Sequence, residues 1–181
     1  MKNMKIVLSG NAGSGKSTVG KLLAERLGVG FLSIGEICRK RAVLMGMDIN
    51  QFQEYLRSNT EFDQAMDKYI AEYASSLSGY VFDYRLGFHF LPESFKVLLK
   101  VSEEIAFQRI SNRYGKDEDF SAELLSDKII LLRKRNEHMR ERFIEVYGTD
   151  FCDERNYDLV IDSDAYSPGE IVDMFSSNLE S

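Results

Sequence analysis

The chain has 181 residues, 44% of them hydrophobic and 29% charged, with a formal net charge of -6 and a pI near 5.1. That size suits one domain burying roughly 70% of its unfolded surface, and the composition is that of a soluble globular protein. The acidic balance argues against a protein that lives on nucleic acid. The N-terminal apolar run, Ile6 to Leu8, is too short for a signal peptide or a membrane span. Cys38 and Cys152 lie far apart, with no CxxC and no histidine at zinc spacing. They read as two reduced thiols of a cytoplasmic protein.

In chain order, "MKIVLS" reads as a short buried strand and "TVGKLLAERLG" as a helix with an apolar stripe. Between them "GNAGSGKST" fits G-x-x-x-x-G-K-[ST] in the strand–loop–helix setting that motif requires. Gly10, Asn11, Ala12, Gly13, Ser14, Gly15, Lys16, Ser17 and Thr18 therefore form a loop whose amides cradle phosphates at the positive end of a helix. Lys16 points to the β- and γ-phosphates of ATP, and the Ser17 hydroxyl is placed for Mg²⁺. A plain glycine turn would explain Gly10 or Gly15, but not Lys16 and Ser17 at this spacing.

Further strands are predicted at Gly30–Leu32, Tyr80–Asp83, Lys96–Val101 and Tyr157–Ile161, with helices between them. That alternation predicts a five-stranded parallel sheet flanked by helices. Residues from about 35 to 76 read as an all-helical insertion with turns near Gly46–Met47 and Ser58–Thr60. Ser33 and Glu36 make a capping box at its entry, Arg39 follows one turn later, and Asp63 is read as a cap three residues after Thr60. Asp67 stands one turn beyond it. Asp83, at the carboxyl end of an apolar strand, is placed to hold a metal-bound water, and Arg85 to fork onto a phosphate. A surface Asp83–Arg85 pair is the alternative.

"RISNR" ends a helix opened by Ser102 and puts Arg109 and Arg113 on one face, for a nucleotide or simply for solvent. A polar loop and a long basic helix fill about 112 to 147, with Arg133, Glu137 and Arg140 on one face and Arg135 and Arg142 beside them. This stripe suits a phosphate in transfer; intrahelical Arg–Glu pairs are the other reading. His89 and His138 have no metal or nucleophile cluster around them. Ser167, Pro168 and Glu170 announce a final helix.

The P-loop, "SIGEICRK", "DYRL", "RISNR" and the R-x-R…R-x-R-F stretch running to Asp150 together resemble the nucleoside monophosphate kinases, above all the short archaeal-type cytidylate kinases. The resemblance runs nearly end to end. It implies a P-loop NTPase core as one domain over 1–181, a helical monophosphate-binding insertion and a lid. It implies Arg39 and Arg85 on the acceptor phosphate, Arg109 on adenine and Arg113 on the triphosphate. It also implies that Arg133 and Arg140 clamp both substrates, and that Glu137 faces the cytidine or a neighbouring arginine. The implied catalytic set is Lys16, Arg85, Arg133 and Arg140, with Mg²⁺ at Ser17 and Asp83. The expected reaction is phosphoryl transfer from ATP to CMP or dCMP by a monomer acting on small nucleotides. A kinase for another nucleotide or metabolite and a degenerate nucleotide-binding module are the alternatives. Tyr84 replaces the family's usual glycine and is expected to crowd the acceptor side. Leu86 and Ile34 stand where long bacterial cytidylate kinases carry Asp and Ser.

Overall fold

A computed structural model describes residues 4–114 and 122–179. Chain order is β1 (Lys5–Ser9), α1 (Lys16–Leu27), β2 (Gly30–Ser33), α2 (Ile34–Leu44), α3 (Ile49–Ser58), α4 (Thr60–Ser76) and β3 (Tyr80–Asp83). Then come α5 (Gly87–Phe90), β4 (Phe95–Lys100), α6 (Glu103–Tyr114), α7 (Ala122–Tyr147), β5 (Leu159–Asp162) and α8 (Pro168–Leu179). The strands form one parallel sheet in the order β2-β3-β1-β4-β5. The predicted strands hold to within two residues at each end. Tyr157 precedes β5 rather than opening it, and its side chain has another task described below.

Alternation along the strands divides the core in two. Ile6 and Leu8 of β1, with Val81, Val97, Leu99 and Ile161, face α1 and α8. Val7 and Phe82 face the opposite way, toward α4, α5 and α7, among Ile70, Leu86, Leu91, Phe143 and Phe151. Burial on both faces is why these strands read as continuous apolar runs. The helical insertion α2–α4 has a small core of its own, in which Ala42, Phe52 and Leu56 are buried. Its middle helix starts at a capping box: Asp48 accepts from the Asn50 and Gln51 amides at 2.7 and 2.9 Å, and Gln51 returns a bond to the Asp48 amide.

Local start signals hold at α2 and α8 with one exception, the Glu36 half of the predicted box, whose carboxylate pairs with Lys21 instead. Ser33 caps α2 through the Glu36 amide, and Ser167 and Glu170 cap α8 reciprocally. Asp63 does not act as a cap. It lies inside α4, buried, and pairs with Arg142 of α7, 79 residues away, whose charge outweighs any local amide as a partner.

Candidate active site

The carboxyl ends of β1, β2 and β3 meet at one edge of the sheet, where an open α/β fold presents its ligand crevice. The loop after β1 turns through three glycines of positive φ: Gly10 (136°), Gly13 (85°) and Gly15 (88°). Gly13 also has no room for a side chain, since a Cβ there would come within 2.6 Å of the Ala106 Cα in α6. Gly15, by contrast, would meet nothing within 4 Å with a side chain, and it caps α1, so the loop ends at a helix N-terminus. The Lys16 ammonium lies across this loop, donating to the Gly10 and Asn11 carbonyls at 2.8 and 2.7 Å. Asn11, Ala12 and Thr18 complete the rim, and Ser14 is buried beneath it.

Ser17, in the first turn of α1, donates to the Asp83 carboxylate at the end of β3 at 2.5 Å. Ser33, at the end of β2, donates to the same oxygen at 3.1 Å. Three adjacent parallel strands thus bring a hydroxyl and a carboxylate to one point beside the loop. These hard oxygens fit Mg²⁺, which keeps several waters and takes few protein ligands. Among the described residues no cluster of three or more His, Cys, Asp or Glu could hold a metal.

Arg85 is anchored from several sides. Its Nε donates to the Gly10 carbonyl at 3.1 Å, its Nη1 meets the Met139 sulfur, and its guanidinium lies over the Phe151 ring. Ser9 donates to the Arg85 carbonyl at 2.9 Å, and the Tyr157 hydroxyl reaches both Ser9 and the Phe151 carbonyl. Ser9 and Tyr157 are site residues that pattern reading missed. Nothing in their local sequence marks them, because the contact spans 148 residues.

Arg109 packs beside the loop, bonding the Gly13 carbonyl at 3.3 Å and both oxygens of Ser163. The Arg113 and Arg135 side chains lie outside the described residues. Arg39 is exposed on α2, with its guanidinium lying near Gly35. Arg133 forks onto Glu103 of α6, and Arg140 onto Asp150 beyond α7. The expected intrahelical role of Glu137 in orienting these arginines is thus taken by carboxylates from elsewhere, while exposed Glu137 acts on Arg133 only at longer range. The Asp150 carboxyl is drawn below its ordinary value: burial pushes it up, but bonds from Arg140 and the Cys152 amide outweigh that.

The expected crowding by Tyr84 is corrected: its ring is 3% exposed and stacks on Phe90 in the core, so only its hydroxyl end is directed toward Asp67 and Arg142. Leu86 is likewise core, with no place at the rim. A cavity of about 580 Å³ lies between α4, Phe90 and the end of α7, and no residue of the phosphate loop lines it.

A phosphate-binding loop, an adjacent hydroxyl–carboxylate pair, and Arg85 and Arg109 bonded to that loop make up a P-loop nucleotide site. The AAA domain family matches residues 6–126. A cytidylate kinase from Methanobrevibacter smithii is 32% identical over 98% of this chain and 99% of its own length. An S-adenosylmethionine-dependent nucleotide dehydratase from Lacinutrix mariniflava is 45% identical over 94% of this chain, which spans only 34% of that relative's length. The crystal structure of shikimate kinase from Bacteroides thetaiotaomicron shares the fold at a TM-score of 0.63 and 18% identity, covering 98% and 99% of the two chains. The chain belongs to the nucleoside monophosphate kinase family of P-loop kinases, and resembles the archaeal cytidylate kinases over nearly its whole length.

Proposed function

We propose that the protein transfers the γ-phosphoryl group of ATP to CMP or dCMP, giving ADP and the nucleoside diphosphate. The observation that carries this reading is Arg85. It stands two residues after Asp83 and leans on the Gly10 carbonyl, so an acceptor phosphate on Arg85 faces the γ-phosphate in the loop. The loop amides and Lys16 hold the ATP phosphates, and Arg109 flanks the loop on the nucleoside side. Arg39 and Arg85 hold the acceptor phosphate in line, while Arg133, Arg140 and Arg113 neutralise charge as the bond breaks. Ser17 and Asp83 would hold Mg²⁺, which would supply positive charge against that of the transferring phosphates. No general base is needed, because the acceptor oxygen is already ionised. In this reading α2–α4 is the monophosphate-binding insertion, the region about 112–147 is the lid, and the protein works as a cytoplasmic monomer.

The test is ADP release with ATP and Mg²⁺ against CMP, dCMP, UMP, AMP and shikimate. Release with CMP or dCMP above the others is expected. Release without any acceptor, or with shikimate alone, overturns the reading. The dehydratase relative favours a second reading, a nucleotide-binding unit that serves neighbouring chemistry; saturable nucleotide binding without turnover is its signature.

A further inference from the structure

Beside the acceptor arginines lies a buried polar cluster that phosphoryl transfer does not use. Asp63 and Asp67 stand one turn apart on α4 and are 4% and 9% exposed. Arg142 of α7 reaches Asp63 with Nε and Asp67 with Nη2, the latter at 2.5 Å, and the Tyr147 hydroxyl donates to Asp67 at 2.8 Å. Two carboxylates against one guanidinium leave an excess of acceptors. Burial raises the Asp63 carboxyl pKa, against the pull of Arg142. Stability alone is a weak reason for such a group, since well-packed apolar residues often do as well.

A second observation points to a ligand. The Tyr84 hydroxyl is buried and has no hydrogen-bond partner among the described residues. Its electrostatic neighbours are Asp67, Tyr147, Cys38 and Arg142, which places it at this cluster. A buried hydroxyl without a partner is unfavourable unless something arrives to satisfy it. Cys38 lies there too: burial, then the charge of Asp67, pushes its thiol up to about 11. The cluster is in register with the phosphate end of the acceptor site. Tyr84 precedes Arg85, Cys38 precedes Arg39, and Met139, against Arg85, lies one turn before Arg142.

We propose that this cluster reads the base of the acceptor, resting on the monophosphate kinase reading above: Asp67 accepts an exocyclic amino group, while Arg142 and the Tyr84 hydroxyl donate to the ring nitrogen and carbonyl beside it. Donor, acceptor, acceptor is the edge of cytosine. Uracil offers acceptor, donor, acceptor, and so sets a carbonyl against Asp67 and an N–H against Arg142. A site built on buried hydrogen-bonding groups rejects the mismatched edge because those groups are left unpaired. On binding, Arg142 exchanges part of its hold on Asp67 for the base, and α4 stays tied to α7 through Asp63.

The test is kcat/KM of the full chain for CMP, UMP and the 4-deamino analogue of CMP, with ATP held saturating. The wild type should prefer CMP over both by at least ~10-fold. Asp67→Asn should bring the CMP-to-UMP ratio toward one while leaving the ATP KM unchanged. Tyr84→Phe removes only the unpartnered hydroxyl. It should raise the CMP KM several-fold while the melting temperature holds or rises. Because Tyr84→Phe keeps the packed ring, it decides the matter even where Asp67→Asn fails to fold. CMP turnover with an unchanged base preference in the variants that fold, and an unchanged CMP KM in Tyr84→Phe, overturns the base-reading assignment alone. Wild-type turnover of no nucleoside monophosphate overturns both this assignment and the kinase reading beneath it.

Discussion

Arg85, which the proposed reading puts on the acceptor phosphate, is a side chain with little freedom. Its carbonyl is held by Ser9, its Nε by Gly10 and its guanidinium plane by the Phe151 ring. A planar fork held this way aligns a phosphate in a fixed plane, which a lysine ammonium cannot do. Arg85→Lys should therefore reduce kcat/KM for the acceptor by about 2–4 kcal/mol, the scale of removing one preorganised donor. The ATP KM should stay near its starting value. Steady-state kinetics with each substrate varied in turn will separate the two, and a loss confined to ATP would show the sides of the cleft to be exchanged. The residues before and after Arg85 were harder to read. Tyr84 and Leu86 follow no periodicity that reveals whether they face core or cleft, and only the packing of α5 against β1 turns both inward.

At the scale of elements, what was legible is what is local. The P-loop, the strands and the caps of α2 and α8 depend on neighbours within about four residues, and the sequence pattern displays them. The links between elements are not displayed. Asp63 has a perfectly ordinary capping position by spacing, yet its partner comes from α7. Glu103 and Asp150 likewise take Arg133 and Arg140 from distances that no pattern along the chain records. The Arg140–Asp150 fork has a consequence with pH. The folded pKa of Asp150 lies below its unfolded value, so its contribution is present above about pH 3.9 and is lost as the pH falls through the folded value. With Arg140 half exposed, that contribution is modest. Melting temperatures followed from neutral to acid pH should fall less steeply in Asp150→Asn than in the wild type. Equal slopes would mean that the fork does not anchor the end of α7.

For the whole molecule, the sheet is a fixed plate, while α2–α4 and α7 rise from its ligand edge and meet through Arg142. On the proposed reading, a transfer that excludes water calls for these parts to close over both substrates. Hydrogen exchange should slow over residues 35–76 and 112–147 together when an ATP analogue and CMP are both present. ATP analogue alone should protect chiefly the loop from Gly10 to Thr18. Full protection from the ATP analogue alone would show the helical parts to be already settled. Among the described residues no helix is long and apolar enough to cross a membrane.

The forks on Glu103 and Asp150 bear on how selective the cleft is. On the proposed mechanism Arg133 and Arg140 do not wait as bare cations; each already has an anion of the protein's own. An incoming phosphate has to compete with a carboxylate, so stray monovalent anions gain little by entering. A polyphosphate carries enough charge to win both contests. The same carboxylates stand ready to reclaim the arginines once the charge has moved, giving the products a built-in competitor and the enzyme a way to let go.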